Sequence, residues 1–139
     1  MTKEELQILY KKHILAENKD PFNFKKGGDE AVTVQAYNPM CGDKYHLYLG
    51  EEEGSFDGFG CAVSKASTSI LLRNMDGKSD EEVKVLCEKF LEAFENDEEV
   101  DLPEALKVLL ELKNFDGRID CIQLSWKALL DHLNKPMNT

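Results

Sequence analysis

A chain of 139 residues, 42% of them hydrophobic, has enough apolar mass for one core, so a single domain over residues 1–139 is expected. Twenty-seven acidic against 17 basic residues give a net charge of -10, which repels phosphate backbones and anionic lipid. That charge argues against nucleic acid and membranes as partners and leaves a basic protein surface as the better complement.

The opening Met1-Thr2-Lys3-Glu4-Glu5 lacks the basic and then apolar pattern of a secretion signal, and no apolar run nears membrane-spanning length, so a cytoplasmic protein is expected. Thr2 with Glu5 reads as a capping box, and Leu6, Leu9, Tyr10, His13 and Ile14 recur at helical spacing. A first helix over about 3–17 follows, ended by Pro21 and Gly27-Gly28. Residues 31–37 alternate with period two, as do Tyr45, Leu47 and Leu49 against His46 and Tyr48, which predicts a two-stranded hairpin. Its loop, Asn38-Pro39-Met40-Cys41-Gly42-Asp43, is a tight turn carrying a thiol and a carboxylate two residues apart. A turn at Gly50 to Gly54, with the solvated run Glu51-Glu52-Glu53, leads to a third short strand ending at Gly60.

Gly58-Phe59-Gly60-Cys61-Ala62-Val63-Ser64-Lys65-Ala66-Ser67 is the stretch that organises the rest. Its glycines admit turn geometries closed to other residues, and its small residues let neighbouring backbone come close. Cys61 thereby stands at the start of a helix reaching about Met75, where unpaired N–H groups and partial positive charge favour a thiolate. Ser79 and Glu82 form a second capping box, before an apolar stripe of Val83, Leu86, Cys87, Phe90, Leu91 and Phe94. Cys87 lies within that stripe, as a core thiol would. The acidic run Glu95 to Asp101 reads as a solvated connection; Pro103 opens a short helix through Leu106, Leu109 and Leu110, which Gly117 breaks. A last helix begins near Arg118 to Asp120, carries Cys121 in its first turn and runs through Trp126 and Leu129 to Leu133, with a frayed end from Pro136.

Four cysteines could be two disulfides in a secreted protein, but without an export signal metal binding or thiol chemistry is the better reading. Cys41, Cys61 and Cys121 fall at exposed junctions that favour a thiolate. With Asp43 they supply three sulfurs and one oxygen, a set that can surround zinc and whose sulfurs suit an iron–sulfur cluster equally. His13, His46 and His132 are scattered, as surface or satisfied histidines would be. Arg118, three residues before Cys121, could lower that thiol's pKa or pair with Asp120.

Three blocks, Asn38 to Asp43, Gly58 to Ser67 and Arg118-Ile119-Asp120-Cys121-Ile122-Gln123-Leu124-Ser125-Trp126-Lys127-Ala128-Leu129, resemble the U-type iron–sulfur cluster assembly family, which includes the NifU N-terminal domain, IscU and SufU. A weaker fourth match is the opening helix from Leu9-Tyr10 to Pro21 and Asn23, where Glu17-Asn18 replaces an aromatic pair usual in the family. The chain is most similar to the SufU branch. It has an insert within Cys87 to Leu110, Asp120 where the IscU branch has a histidine, and Asn114-Phe115-Asp116-Gly117-Arg118 where that branch has its chaperone motif.

The resemblance implies an α+β fold, a three-stranded antiparallel sheet packed with about five helices, and a zinc ion held by Cys41, Asp43, Cys61 and Cys121. It implies a sulfurtransferase-like role in which Cys41 accepts persulfide sulfur from a pyridoxal-phosphate cysteine desulfurase of the SufS type and passes it to downstream cluster assembly or apo-acceptor proteins. Zinc mutes Cys41, and the resemblance suggests that the desulfurase supplies a replacement ligand such as a histidine to free it. The alternative is a scaffold on which a transient 2Fe–2S cluster, or iron, is held by Cys41, Cys61 and Cys121. A third reading is a zinc-stapled adaptor without chemistry. Hydrolase or deaminase chemistry is disfavoured because the HxE and PCxxC signature is absent.

Overall fold

The computed structural model describes residues 2–40, 42–50, 54–96, 102–112 and 119–135. The expected turn at Glu51-Glu52-Glu53, the break at Gly117, the frayed end from Pro136 and most of the acidic connection lie outside them.

The chain opens with one run of helix: α1 (Lys3–Leu9), a π-helical turn (Tyr10–Leu15) and α2 (Ala16–Lys19). Thr2 caps it, its Oγ1 accepting from the Glu5 N–H at 3.1 Å. The uniform helix expected from periodicity is thus interrupted by wider i→i+5 bonding over Tyr10–Leu15. Within that turn Ile14 is fully buried, and His13 Nε2 lies 2.7 Å from Glu104 Oε1. Glu17 ties the end of the run to the body of the protein. Its carboxylate accepts from Arg73 Nε at 2.8 Å and from the Ser69 hydroxyl, a polar joint between the first helical run and the helix that carries Ser69 and Arg73.

Strands β1 (Val32–Asn38), β2 (Asp43–Leu49) and β3 (Ser55–Phe59) form an antiparallel sheet in the order β1-β2-β3. The register pairs Asn38 with Asp43, Ala36 with Tyr45, and Tyr45 with Gly58. Alternation buries Asp43, Tyr45 and Leu47 on one face of β2. Tyr48, expected on the solvent side, is also buried. The segment before β1 pairs with the edge of β3 through a parallel bridge of Phe24 with Phe56 and reaches Tyr48: Lys25 N–H donates to Phe56 O at 2.8 Å, Gly27 lies against the Tyr48 ring, and the Tyr48 hydroxyl donates to Asp57.

Helices α3 (Ala62–Met75), α4 (Asp80–Asn96), α5 (Glu104–Glu111) and α6 (Ile119–Asn134) complete the described fold. Ser79 and Glu82 cap α4 reciprocally, each backbone N–H donating to the other's side chain. The core joins the inner sheet face to the apolar sides of the helices, with Trp126 of α6 against Phe90 of α4 at 4.1 Å between ring centroids. Three-stranded sheet and helices match the expected α+β class. Among the described residues no helix is long and apolar enough to cross a membrane.

Helices α3 and α6 meet along a seam of hydroxyls. Ser67 Oγ donates to Ile122 O at 2.6 Å and accepts from Trp126 Nε1–H at 2.9 Å, while Thr68 and Ser125 share a 2.6 Å bond. The small residues of α3 therefore do more than permit close approach. They hydrogen-bond α6 in register, and so set Cys121 opposite Cys61.

Candidate metal centre

Cys61 is the N-cap of α3, with extended φ of -70° and ψ of 164°. Its Sγ accepts the Ser64 N–H at 3.4 Å, one of the amides a helix start leaves unpaired. The turn that delivers it needs both glycines, for different reasons. Gly58 has φ +131°, and a side chain there would strike the Lys44 carbonyl oxygen. Gly60 needs room rather than conformational freedom. A Cβ on it would lie 2.5 Å from Asp43 Oδ1, 2.5 Å from Tyr45 Oη and 2.6 Å from Ser64 Oγ.

Asp43 opens β2 and is 1% exposed. Pairing with Asn38 at the end of β1 turns it inward onto the core face. Its two oxygens differ. Oδ1 accepts the Cys61 N–H at 3.0 Å, whereas Oδ2 is buried with no hydrogen-bond partner among the described residues. Cys121, third residue of α6, completes the cluster: a carboxylate oxygen of Asp43 and the sulfurs of Cys61 and Cys121 all lie within 4.8 Å of one another.

The electrostatics correct one expectation. Cys61 and Cys121 are half-buried rather than exposed, and the Cys121 thiol is pushed well above the usual range, first by burial and then by Cys61 and Asp43 beside it. The partial charge of a helix start does not overcome lost water and two neighbouring acidic groups. A buried carboxylate oxygen with no hydrogen-bond partner among the described residues stands next to two crowded thiols, and sulfur with carboxylate oxygen is a donor set zinc or ferrous iron accepts. The residues fit a divalent metal.

Cys41 and Arg118, both singled out in the sequence, lie outside the described residues. The loop around Cys41 is nonetheless tight at its ends, with Met40 N–H donating to Asn38 Oδ1 at 3.1 Å and Gly42 N–H to Asn38 O at 2.8 Å. Cys87 is a core residue, 0% exposed, its thiol pushed up to about 12 by burial and then by Glu88. His13 pairs with Glu104, and His46 Nδ1 lies 3.3 Å from Asp57. Sequence reasoning passed over Tyr45 and Ser64. Their signals were present: Tyr45 follows Asp43 by one strand repeat on the same face, and Ser64 follows the helix-capping Cys61 by three.

A small sheet and a capped helix bring two thiols and a carboxylate together at one end of an α+β fold, which makes this an α+β protein with a candidate thiolate–carboxylate metal site. The chain belongs to the NifU-like N-terminal domain family, whose model matches residues 9–131. It is 33% identical over 132 residues to the Bacillus subtilis zinc-dependent sulfurtransferase SufU, covering 89% of this chain and 88% of that protein. It is also 35% identical over 114 residues to the Thermotoga maritima iron-sulfur cluster assembly scaffold protein IscU, covering 77% and 80% of the two chains. Among solved structures, a candidate iron-sulfur cluster assembly scaffold protein for the SUF system from Fervidobacterium islandicum superposes with a TM-score of 0.77 at 27% identity, over 92% of this chain and 98% of that one. The N-terminal part of a NifU-like protein from Brucella abortus shares the fold, with a TM-score of 0.76 at 17% identity over 88% and 90% of the chains.

Proposed function

We propose that this chain is a sulfur acceptor in iron–sulfur cluster assembly. It would take persulfide sulfur from a pyridoxal-phosphate cysteine desulfurase of the SufS type on Cys41 and relay it to downstream assembly or apo-acceptor proteins. The observation that carries the reading is the split carboxylate of Asp43, one oxygen bound by the Cys61 amide and the other buried beside two thiols with no hydrogen-bond partner among the described residues. Asp43, Cys61 and Cys121 would hold zinc together with Cys41. When bound there, zinc would keep the thiolates deprotonated and balance the carboxylate.

In the transfer the Cys41 thiolate attacks the outer sulfur of the desulfurase persulfide. A sulfur–sulfur bond forms on Cys41, the bond on the desulfurase breaks, and the desulfurase cysteine leaves as thiolate with no net oxidation. Free thiols of this kind belong in a reducing compartment such as the cytoplasm. Arg118, next to α6 in sequence, is the candidate contact for a thiolate or for the partner.

Scaffolding of a 2Fe–2S cluster is the second reading, supported by thiols that suit iron equally and by a relative named as a scaffold. Metal and acid-labile sulfide analysis of protein purified without oxygen, with a desulfurase assay beside it, separates the two. About one zinc per chain, no sulfide and stimulated alanine release that Cys41→Ala abolishes is the expected result. Iron and sulfide in equal amounts would make the scaffold primary, and stimulation surviving Cys41→Ala would end the acceptor role.

A further inference from the structure

Behind Cys61 lies a second layer of buried hydroxyls. Tyr45 is 0% exposed and its hydroxyl is 2.8 Å from Ser64 Oγ. Ser64, 1% exposed, touches Cys61 at three points: its N–H donates to Sγ at 3.4 Å, its Oγ lies 3.6 Å from Sγ, and its hydroxyl donates to the Cys61 carbonyl at 3.1 Å. Gly60 leaves the space in which Tyr45 Oη, Ser64 Oγ and Asp43 Oδ1 gather.

We propose that Tyr45, acting through Ser64, is a positioning residue that fixes the direction of the Cys61 sulfur and so sets how tightly the site holds its metal. The geometry of proton donation carries the inference. A hydroxyl has one proton and two lone pairs, so when Tyr45 donates to Ser64 Oγ, the Ser64 proton must point elsewhere. The remaining partners in reach are the carbonyl and the sulfur of Cys61. With its proton in place the Cys61 thiol donates to Ser64 Oγ while Sγ accepts the Ser64 N–H; when Cys61 gives up that proton to bind a metal, Sγ can only accept, and Ser64 O–H and N–H are the donors placed to hold it. The side-chain hydrogen bond of Tyr45 goes to Ser64, so its effect is to orient Ser64.

The inference rests on the metal-site reading above, and the test separates the two. Cobalt(II) is titrated into metal-free wild type, Tyr45→Phe, Ser64→Ala and the double variant, against a competing chelator. The readouts are the dissociation constant and the thiolate-to-cobalt charge-transfer band, with circular dichroism to check folding. Tyr45→Phe keeps the ring and should weaken binding about tenfold, Ser64→Ala by about ten- to a hundredfold, the range seen when ligand-orienting partners are removed. Because Tyr45 acts through Ser64, the double variant should bind no more weakly than Ser64→Ala alone. The charge-transfer band should shift in all three variants, which a purely structural loss would not produce.

No band in the wild type would overturn both the metal site and this proposal. A normal wild-type titration with Tyr45→Phe binding within about twofold would overturn the proposal alone. If Tyr45→Phe does not fold without metal, Ser64→Ala decides: unchanged affinity and band would overturn the positioning role.

Discussion

Gly60→Ala adds one methyl group and probes the crowding at the centre of the site. Its Cβ would stand 2.5–2.6 Å from three oxygens, where ordinary van der Waals contact begins at 3.4 Å, so each must retreat by about 0.8–0.9 Å. None is the end of a long, free side chain. Asp43 Oδ1 is bound to the Cys61 amide, and Tyr45 Oη and Ser64 Oγ are bound to each other. Forced overpacking costs about 1–3 kcal/mol, and each of two hydrogen bonds broken inside the protein adds roughly 1 kcal/mol or more, for a sum of about 4 kcal/mol. With a melting entropy of roughly 2.1 cal/mol/K per residue over 139 residues, the metal-free protein should melt about 14 °C lower. Urea and thermal unfolding of metal-free protein measure this directly, and a drop under about 3 °C would refute the argument that the three oxygens are fixed.

Asp43→Asn keeps an acceptor for the Cys61 amide while replacing the buried oxygen that has no partner among the described residues, so metal-free protein should gain about 1–3 kcal/mol of stability as metal affinity falls steeply. Chemical unfolding with and without zinc tests it; a metal-free variant less stable than wild type would show that the oxygen is already satisfied. Cys87 and Cys121 both have raised folded-state pKa values, so each binds its proton more firmly folded than unfolded. Their stabilising effect is complete below the ordinary thiol value of 9.0 and is lost as pH rises beyond it, for Cys87 up to about 12. Metal-free protein should therefore lose up to about 1.4 kcal/mol per pH unit from Cys87 above pH about 9, with Cys121 adding in the same direction, and Cys87→Val should remove the Cys87 share of that slope. An equal slope in the variant would contradict the burial of Cys87.

The local elements were legible because their signals are local. Thr2 and Ser79 announce helix starts by hydrogen bonds made within three residues, period-two alternation marks β1 and β2, and a cysteine after two glycines reads as a helix cap. The stripe that holds Cys87 identified a core thiol for the same reason, since a helix repeats its buried face every three or four residues. Periodicity states which face turns inward and is silent on which inward faces meet. That silence hid the burial of Asp43, produced by its register opposite Asn38, and the burial of Tyr48 under a segment some twenty residues earlier. It hid the joint between Glu17 and Arg73, and the hydroxyl chain from Tyr45 through Ser64 to Cys61. The same limit inverted the expectation for Cys121. A helix start seen alone favours a thiolate, but tertiary packing sets that thiol out of water beside Cys61 and Asp43, and proximity of like charges outweighs the helix end.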